Sequence, residues 1–437
     1  MENRNSLLRG NGEYAIICGV MDKIDYIRRT MESILAEAAE TFKVVILGGS
    51  RQVGKTTLMK HVLGTCRDVK FISFDNPDLR KAAKEDPQLF LAQYEPPLMI
   101  DEFQYVPELL PFIKMIVDGR NEPGQYFLTG SQLFKMMSEV GESLAGRAAV
   151  LTLSSFSKAE MCGVDGGRPF LPKEKPFVSE PATLRDVQSM IFDGGMPALV
   201  CGRGKINRDL FFSSYVQTYI ERDIRQAINI RDIGAFRNFL ACVASRTGEE
   251  LVYEDIASSL GVDSKTVKSW IGVLEATGLV FLLHSWSGNP TKRIVKRPKL
   301  HFMDTGLACH LARLPDPYSL FASRQAGHFF ESWVVGQIIR SYQGAGLDPS
   351  NYLYYYRDDA MREIDLVISR GGRLYPVEVK LSANPGVDAM RHFGVVEEMG
   401  LERGVGCVVS LTQDIVPVRD RGCIVNVASL WQETTTT

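Results

Sequence analysis

The stretch FKVVILGGSRQVGKTTLM, residues Phe42–Met59, joins an apolar run to a glycine-rich turn that is followed by a lysine and two threonines. Its spacing Gly-x4-Gly-Lys-Thr is that of a phosphate-binding loop, in which backbone N–H groups wrap the phosphates. The lysine of such a loop reaches the outer phosphates, and the hydroxyl after it binds Mg²⁺. We call this segment the P-loop. Its predicted nucleotide-binding residues are Gly49, Ser50, Arg51, Gln52, Val53, Gly54, Lys55, Thr56 and Thr57.

The sequence on either side of the P-loop fits this prediction. Val44–Leu47 has the composition of a buried strand, and Thr56–Leu63 continues as a helix whose dipole favours an anion at its start. A helix is also predicted over Asp22–Glu40 from the spacing of its apolar residues. We expect its two arginines, Arg28 and Arg29, to lie on a solvated face. The alternative is contact with nucleotide or with a neighbouring subunit.

Length and composition restrict the classes of protein. A chain of 437 residues suggests about three domains. The 50 Lys and Arg residues balance 52 Asp and Glu residues, so affinity for nucleic acid would need a local basic patch. Eight scattered cysteines without a C-x-x-C argue against zinc ribbons and a disulfide framework. No apolar stretch approaches the roughly 18 residues of a membrane helix, and no signal peptide is recognisable, so we expect a cytoplasmic protein with no membrane partner.

Val69–Asp75 is predicted as a second strand, and the third strand ends in two carboxylates. The run PPLMIDE, Pro96–Glu102, has the form of a Walker B segment some fifty residues after the P-loop. Asp101 would then hold Mg²⁺ through water, and Glu102 would orient and deprotonate the attacking water. The alternative is a strand that happens to end in acidic residues.

Two further strands complete the predicted sheet. Gln125–Ser131 ends in hydroxyls, and either Thr129 or Ser131 is a candidate sensor of the γ-phosphate or water. Ser131 could instead cap a helix that begins at Gln132. Arg147 stands just before the last apolar run. Five strands alternating with helices predict a parallel sheet covered on both faces, with ligand at the carboxyl ends of the strands.

The segments GGSRQVGKTTL, LMIDEFQ, FLTGSQ and SLAGR, in this order, resemble a prokaryotic group of AAA-type ATPases within the P-loop superfamily. Proteins of that group usually continue into a carboxy-terminal domain of undetermined function. The resemblance implies that Arg147 is an arginine finger or sensor, acting within its own chain or across a subunit interface of a homo-oligomer. A structural salt bridge is the alternative. Tyr215–Gln226 resembles a segment that forms a helical lid in the same group.

The next segment has the order of a winged helix. Helices at about 231–247, 253–260 and 263–277 precede strands over Leu279–Ser285 and Lys299–Met303. Lys265 and Lys268 would face a DNA groove from the helix after Gly261. The densest basic cluster, ending at Lys299, lies between the two strands and would contact phosphates. Its other members are Lys292, Arg293, Lys296 and Arg297. The alternative is a winged helix that contacts only protein.

The last region carries a second group of charged residues. Asp365 lies on one predicted strand, Glu378 and Lys380 share a face of the next, and Glu331 lies on the helix before them. Two carboxylates and a lysine suit a Mg²⁺ phosphodiesterase. The set resembles the PD-(D/E)XK nuclease superfamily, although Ile364 replaces the usual proline. An exposed hairpin with alternating charges and a retained fold without activity are the alternatives.

The fold class predicted is α/β: a P-loop NTPase parallel sheet with a helical lid, then a winged helix and a restriction-endonuclease-like α/β domain. The expected parts are 1–165, 166–230, 231–315 and 316–437. We expect an enzyme that binds and hydrolyses ATP with Mg²⁺ and whose nucleotide state controls DNA-binding domains. One alternative is a nucleotide-switched regulatory protein that acts through protein contacts. Another is an ATP-regulated, Mg²⁺-dependent DNA nuclease.

Overall fold

A computed structural model of the chain describes residues 26–66, 68–131, 144–164, 168–202, 204–220, 232–289, 293 and 296–432. Several predictions fall outside these residues. They concern Lys292, the helix expected from Gln132, residues 22–25 of the helix expected over Asp22–Glu40, and residues 221–230 of the expected lid. The rest of the Asp22–Glu40 prediction is partly wrong, because residues 26–31 are not helical and the helix begins at Glu32.

The amino-terminal region is built on a five-stranded parallel sheet in the order β2-β3-β4-β1-β5. The strands are β1 (Val44–Gly48), β2 (Lys70–Ser73), β3 (Leu98–Asp101), β4 (Tyr126–Thr129) and β5 (Ala148–Thr152). The predicted parallel sheet is therefore confirmed. β1 lies between β4 and β5, so the P-loop leaves the interior of the sheet rather than its edge.

Helices cover both faces of this sheet. They are α1 (Glu32–Thr41), α2 (Lys55–Cys66), α3 (Pro77–Glu85), α4 (Pro87–Gln93), α5 (Leu110–Gly119) and α6 (Lys158–Met161). Short 3-10 turns at Phe103–Tyr105 and Pro107–Leu109 lead into α5. Val44 and Ile46 of β1 belong to one buried cluster, and Val45 and Leu47 belong to another. This alternation follows from the strand's two-residue period.

The middle region is helical and contains one antiparallel hairpin. Its elements are α7 (Leu184–Asp193), α8 (Pro197–Cys201), α9 (Arg208–Tyr215), α10 (Ile233–Ser245), α11 (Tyr253–Leu260), α12 (Ser264–Ala276), β6 (Val280–Leu283), β7 (Lys299–Phe302), α13 (Thr305–Leu311) and α14 (Pro317–Phe321). A π-helical turn, Val216–Ile220, extends α9. Gly261 ends α11 with φ at +68°, and the Asp263 side chain accepts the N–H of Thr266 at the start of α12. These are the local signals for a helix stop and a helix start.

The carboxy-terminal region is a mixed sheet behind the long helix α15 (Ala326–Gly344). The sheet order is β13-β14-β12-β10-β9-β8, with β11 also on β10. The elements after α15 are β8 (Leu353–Arg357), β9 (Glu363–Arg370), β10 (Arg373–Val379), α16 (Val395–Glu398), β11 (Glu402–Arg403), β12 (Gly406–Ser410), β13 (Val416–Val418) and β14 (Gly422–Asn426). β8, β9 and β10 are antiparallel neighbours, whereas β10, β12 and β14 are parallel.

One hydrophobic cluster joins the middle and carboxy-terminal regions. It contains Phe236 and Trp270 of the middle helices together with Leu366 and Val377 of the mixed sheet. The boundary expected at 315/316 lies inside this shared core and stays a prediction. The middle and carboxy-terminal regions therefore pack as one continuous body.

Helix α15 also fixes this body to the first sheet. Buried Arg340 donates from Nε to the carbonyl oxygen of Ser155 at 3.1 Å and from Nη2 to the Ser155 hydroxyl at 3.0 Å. One turn along, the side-chain oxygen of Gln343 accepts from the Ser154 hydroxyl at 2.7 Å. These bonds lie just beyond the end of β5, beside the P-loop edge of the sheet.

Candidate functional site

The P-loop leaves β1 through a turn that requires glycine at both ends. φ is +134° at Gly49 and +93° at Gly54. A β-carbon on Gly49 would also collide with the carbonyl oxygen of Leu153. Because only glycine combines such backbone angles with so close an approach, the two glycines of the motif have a direct geometric role. The turn lies at the carboxyl ends of the strands, the ligand-binding edge of a parallel sheet.

Lys55, the lysine of the motif, is folded back onto the loop. Its ammonium donates to the carbonyl oxygens of Gly49 at 2.9 Å and Ser50 at 2.8 Å. Burial lowers its pKa to about 8, against the opposing influence of Glu102 and Asp101. Neutral carbonyls compensate a buried cation poorly, so phosphate oxygens would be better partners for this ammonium.

Asp101 and Thr56 are brought together as the sequence predicts. The Thr56 hydroxyl donates to Oδ1 of Asp101 at 2.9 Å, across the gap between α2 and the end of β3. The Thr129 hydroxyl at the tip of β4 donates to the same oxygen. A hydroxyl and a carboxylate are the oxygen ligands that Mg²⁺ prefers, so these side chains fit the metal of a bound Mg²⁺–nucleotide.

Glu102 occupies a special backbone position next to Asp101. Its φ is +52°, in the left-handed region, and burial raises its pKa while a hydrogen bond from Gln104 opposes that rise. The Gln104 amide also lies 3.4 Å from the hydroxyl of buried Ser131. Gln104 thus links the candidate base to the candidate sensor. It stands in the motif LMIDEFQ, but the sequence alone assigned it no role.

Arg147 lies at the amino ends of the strands, on the opposite side of the sheet's length from the P-loop. It precedes β5, and its carbonyl accepts the N–H of Val44 at the first residue of β1. Its guanidinium pairs with Asp118 at the end of α5. Because the P-loop follows the last residue of β1, Arg147 does not reach the nucleotide site of its own chain. The salt bridge that was the alternative is present, and action on a second subunit stays a prediction.

Arg29 was expected on a solvated face, and that expectation is wrong. Its guanidinium is buried and donates to Oε1 of Glu160 at 2.9 Å, to the Val53 carbonyl of the P-loop at 2.9 Å and to the Ser154 carbonyl at 2.7 Å. Arg28, in contrast, is largely exposed. The helical spacing around Arg29 carried no signal for these contacts, because all three partners are distant in sequence.

The P-loop is covered by the middle region. The Tyr215 hydroxyl of α9 donates to the Arg51 carbonyl at 3.3 Å, and the Arg51 guanidinium lies 5.4 Å from the ring of Tyr219. Gly278, between α12 and β6, approaches the backbone nitrogen of Ser50 so closely that a β-carbon there would be in van der Waals contact with it. Groups that would contact a nucleotide therefore lie against Tyr215 and Tyr219 of the predicted lid and against Gly278 of the predicted winged helix.

The second set of predicted residues also converges, between α15 and the β9–β10 hairpin. Nζ of Lys380 lies 2.6 Å from Oε1 of Glu378 and 3.6 Å from Oδ2 of Asp365. The other oxygen of Asp365 faces the position of Glu331, although a lysine that the sequence did not place there stands between them. We call Glu331, Glu363, Asp365 and Glu378 the carboxylate cluster.

That lysine is Lys299 of β7. Its Nζ lies 2.8 Å from Oε1 of Glu331, 2.6 Å from Oε1 of Glu363 and 3.7 Å from Oδ1 of Asp365. The three carboxylates raise its pKa well above the usual range despite burial. The sequence predicted a basic surface for Lys299 instead, because a run of cations between two strands resembles a DNA-binding wing.

The neighbours of Lys299 in the predicted basic cluster have partners within the chain. The Arg293 guanidinium lies 3.7 Å from the ring of Trp286, and Nζ of Lys296 donates to the Arg357 carbonyl at 2.9 Å. The backbone carbonyl of exposed Arg297 accepts from the Tyr355 hydroxyl. Lys265 and Lys268 on α12 are exposed. Contact of all these residues with DNA stays a prediction.

Across the described part of the chain, no group of three or more His, Cys, Asp or Glu side chains is arranged to hold a metal ion. The predicted Mg²⁺ ligands Glu331, Asp365 and Glu378 are close in space but directed toward the ammonium groups of Lys299 and Lys380. The fit to Mg²⁺ is therefore poor in this cluster and good at Thr56 and Asp101.

Comparisons with known proteins agree with the architecture of the first sheet. Residues 41–162 match the family model described as an AAA domain. Residues 184–318 and 326–431 match two models described as domains of unknown function, DUF8612 and DUF4143. The AAA match, with the parallel sheet and the P-loop, supports a P-loop ATPase of the AAA type.

Individual proteins resemble longer stretches of the chain. The uncharacterized protein Rv2008c of Mycobacterium tuberculosis is 28% identical over 376 residues, which cover 85% of this chain and 77% of that protein. The uncharacterized protein Mb2031c of Mycobacterium bovis matches to the same extent. Among solved structures, the Walker-type ATPase PABY2304 of Pyrococcus abyssi aligns with 66% of this chain and 96% of its own, at 16% identity and a TM-score of 0.42. The RuvB Holliday junction branch migration motor of Thermotoga maritima covers 57% of this chain and 86% of its own, at 18% identity and a TM-score of 0.28.

Of the helices in the described ranges, none is both long enough and apolar enough to cross a membrane.

Proposed function

We propose that the chain binds ATP with Mg²⁺ at the P-loop and hydrolyses it. The observation that carries this proposal is the convergence of Lys55, Thr56, Asp101 and Glu102 at one edge of a parallel sheet. Thr56 and Asp101 would hold the metal, which neutralises charge on the phosphates when it is bound. Lys55 would exchange two backbone carbonyls for phosphate oxygens.

Glu102 would act as the base that orients and deprotonates water. Burial moves the pKa of Glu102 upward, toward neutral pH, and a general base is most effective when its pKa lies near the pH at which it works. Gln104 would hold the carboxyl in place, and Thr129 and Ser131 would sense the outer phosphate. Their position beside Asp101 supports these assignments.

The test is ATP turnover by the purified full chain with Glu102→Gln and, as a matched control, exposed Glu108→Gln. We expect Glu102→Gln to lower turnover by roughly 10²–10⁴-fold while ATP still binds, because general base catalysis contributes about that much. Glu108→Gln should behave as wild type. Equal turnover in both variants would exclude Glu102 as the base.

For the finer architecture, we propose that 231–315 is a winged helix and that 316–437 has a restriction-endonuclease-like fold. Supporting the first is the order of α10, α11, α12 and the β6–β7 hairpin, together with a further bridge between Glu250 and Lys299. Supporting the second is the antiparallel β9–β10 pair that carries Asp365 and Glu378. The proposed output of ATP binding is a change in the affinity of these parts for DNA.

The proposed change in DNA affinity is tested with variants of exposed Lys265 and Lys268. Fluorescence anisotropy of labelled duplex DNA at low salt should show affinity that changes on adding ATP. The double variant Lys265→Ala/Lys268→Ala should bind more weakly and lower the salt dependence by about one counterion for each lysine. A matched pair on the ATPase surface, Lys81→Ala/Lys84→Ala, should not. DNA affinity that is absent with and without ATP would refute this output.

One observation favours the second candidate, a nucleotide-dependent switch that acts through protein contacts. Tyr215 donates to the P-loop carbonyl of Arg51, and Gly278 lies beside the backbone nitrogen of Ser50, so binding of nucleotide to the P-loop would bear on the interface with the middle region even without turnover. Tight ATP binding with negligible wild-type turnover, and no DNA affinity, would identify this switch.

A further inference from the structure

The carboxylate cluster already contains a cation, and it belongs to the protein. The side chain of Lys299 is only 5% exposed, and its ammonium is surrounded by Glu331 of α15 and by Glu363 and Asp365 of β9. An ammonium has three N–H donors and no acceptor. Glu331 and Glu363 lie close enough to accept from it, at 2.8 and 2.6 Å, and Asp365 adds a longer charge–charge contact at 3.7 Å.

A divalent ion would compete for the same oxygens. Mg²⁺ needs its oxygen ligands at about 2.0–2.1 Å in an octahedral arrangement. Nζ of Lys299 stands between Oε1 of Glu331 and Oδ1 of Asp365, the oxygens that a metal of the predicted nuclease site would use. A divalent ion placed there would lie next to the Lys299 ammonium in one small, buried space, where the two positive charges would repel each other.

Lys299 is also not free to leave on its own. It is the first residue of β7 and pairs with Leu283 of β6, and it bridges to Glu250 on the other side. The backbone of Lys299 is therefore fixed in the hairpin, and its buried side chain reaches from there to the carboxylates of α15 and β9.

Charge balance in the cluster points the same way. Four carboxylates face three cations: besides Lys299, Lys380 pairs with Glu378 and Asp365 on the more exposed side, and the Arg357 guanidinium lies 3.8 Å from Oε2 of Glu363. These cations offset most of the charge on the four carboxylates without a metal ion.

We propose that Lys299 is the resident cation of the carboxylate cluster, that the cluster binds no divalent metal in this arrangement, and that it anchors the β6–β7 hairpin to the mixed sheet. The proposal is independent of the ATPase activity. It replaces a catalytic reading of Glu331, Asp365 and Glu378 with an ionic contact between two regions of the chain.

The decisive measurement is Mn²⁺ binding to the nucleotide-free full chain by electron paramagnetic resonance. We expect wild type and Asp365→Asn to bind the same number of Mn²⁺ ions. Any Mn²⁺ held near Asp101 is common to both proteins and cancels in the comparison. A wild-type site that is lost in Asp365→Asn, and lost again in Glu331→Gln, would overturn the proposal.

The anchor is tested by thermal unfolding of Lys299→Met beside Lys268→Met, a lysine on an exposed helix face. Removing one partner of a buried ion pair leaves charges uncompensated, so we expect the melting temperature of Lys299→Met to fall by on the order of 10 °C. Lys268→Met should not change it. An unchanged melting temperature in Lys299→Met would refute the anchor. If Lys299→Met does not fold, the Mn²⁺ comparison still decides, because it uses no variant of Lys299.

Discussion

Two buried lysines in this molecule have opposite surroundings. Lys55 donates to two neutral backbone carbonyls, and burial lowers its pKa to about 8. Lys299 is equally buried but faces carboxylates, which raise its pKa above the usual range. The positive charge of Lys55 thus has only neutral acceptors, whereas that of Lys299 is balanced by carboxylates. The difference separates a site prepared for a ligand from one that holds the chain together.

The largest expected effect concerns Lys55 and catalysis. Lys55→Met should lower ATP turnover by roughly 10²–10³-fold, since it removes a preorganised charge that stabilises the phosphates. Exposed Lys81→Met is the control and should retain activity. Steady-state phosphate release measures both. Normal turnover in Lys55→Met would mean that the P-loop lysine is not part of the working site.

The two lysines should also differ in the sign of their effect on stability. Lys299→Met should lower the free energy of unfolding by about 3–5 kcal/mol, because it leaves the buried carboxylate of Glu331 without its cationic partner. Lys55→Met should raise it by on the order of 1 kcal/mol, because folding at pH 7 desolvates a Lys55 ammonium that is poorly compensated. Chemical denaturation of the nucleotide-free proteins gives both values. Effects of the same sign would contradict the comparison.

The lowered pKa of Lys55 predicts a dependence of ATP affinity on pH. Below pH 8 the ammonium is charged with or without ligand, so affinity should be constant. Above pH 8 Lys55 loses its proton in the free protein but would keep it beside bound phosphates. ATP affinity should therefore fall by up to about tenfold per pH unit. Calorimetric titration with ATP between pH 7 and 10 measures this change, whose steepness is limited by the uptake of one proton. Lys55→Arg keeps its charge throughout, and its affinity should be independent of pH in that range.

The smallest expected effect concerns Arg147, which lies at the edge of the sheet away from the P-loop. If its contact with Asp118 is only structural, Arg147→Ala and Asp118→Asn should both keep ATP turnover within about twofold of wild type, as is usual for surface ion pairs. A large loss in Arg147→Ala alone, restored by mixing with a Lys55→Met protein, would instead place Arg147 on a neighbouring subunit's site.

Sequence patterns were sufficient where function depends on neighbours in the chain or on one rule of sheet geometry. The P-loop spacing fixed the positions of Gly49, Gly54 and Lys55, and the parallel sheet rule brought Asp101 to the same edge. The same rule puts Arg147 away from the P-loop of its own chain, because a residue before a parallel strand lies at the opposite end of the strands from a residue after one.

The remaining contacts could not be predicted because they join distant segments in one particular packing. Nothing local to Arg29 indicates Glu160 or Val53, and nothing near Lys299 indicates Glu331 or Glu363. A cation beside other cations resembles a nucleic-acid surface until the fold shows which of them points inward. The carboxylate cluster was found from spacing, but its occupant was not.

The contact of Tyr215 with the P-loop carbonyl of Arg51 has a mechanical consequence. The helix that carries Tyr215 shares its apolar core with the mixed sheet, and Lys299 joins the hairpin to that sheet by charge. A displacement of Tyr215 would therefore be passed to the middle and carboxy-terminal regions together, because they share one core. It would also load the bonds of Arg340 and Gln343 that join α15 to the first sheet.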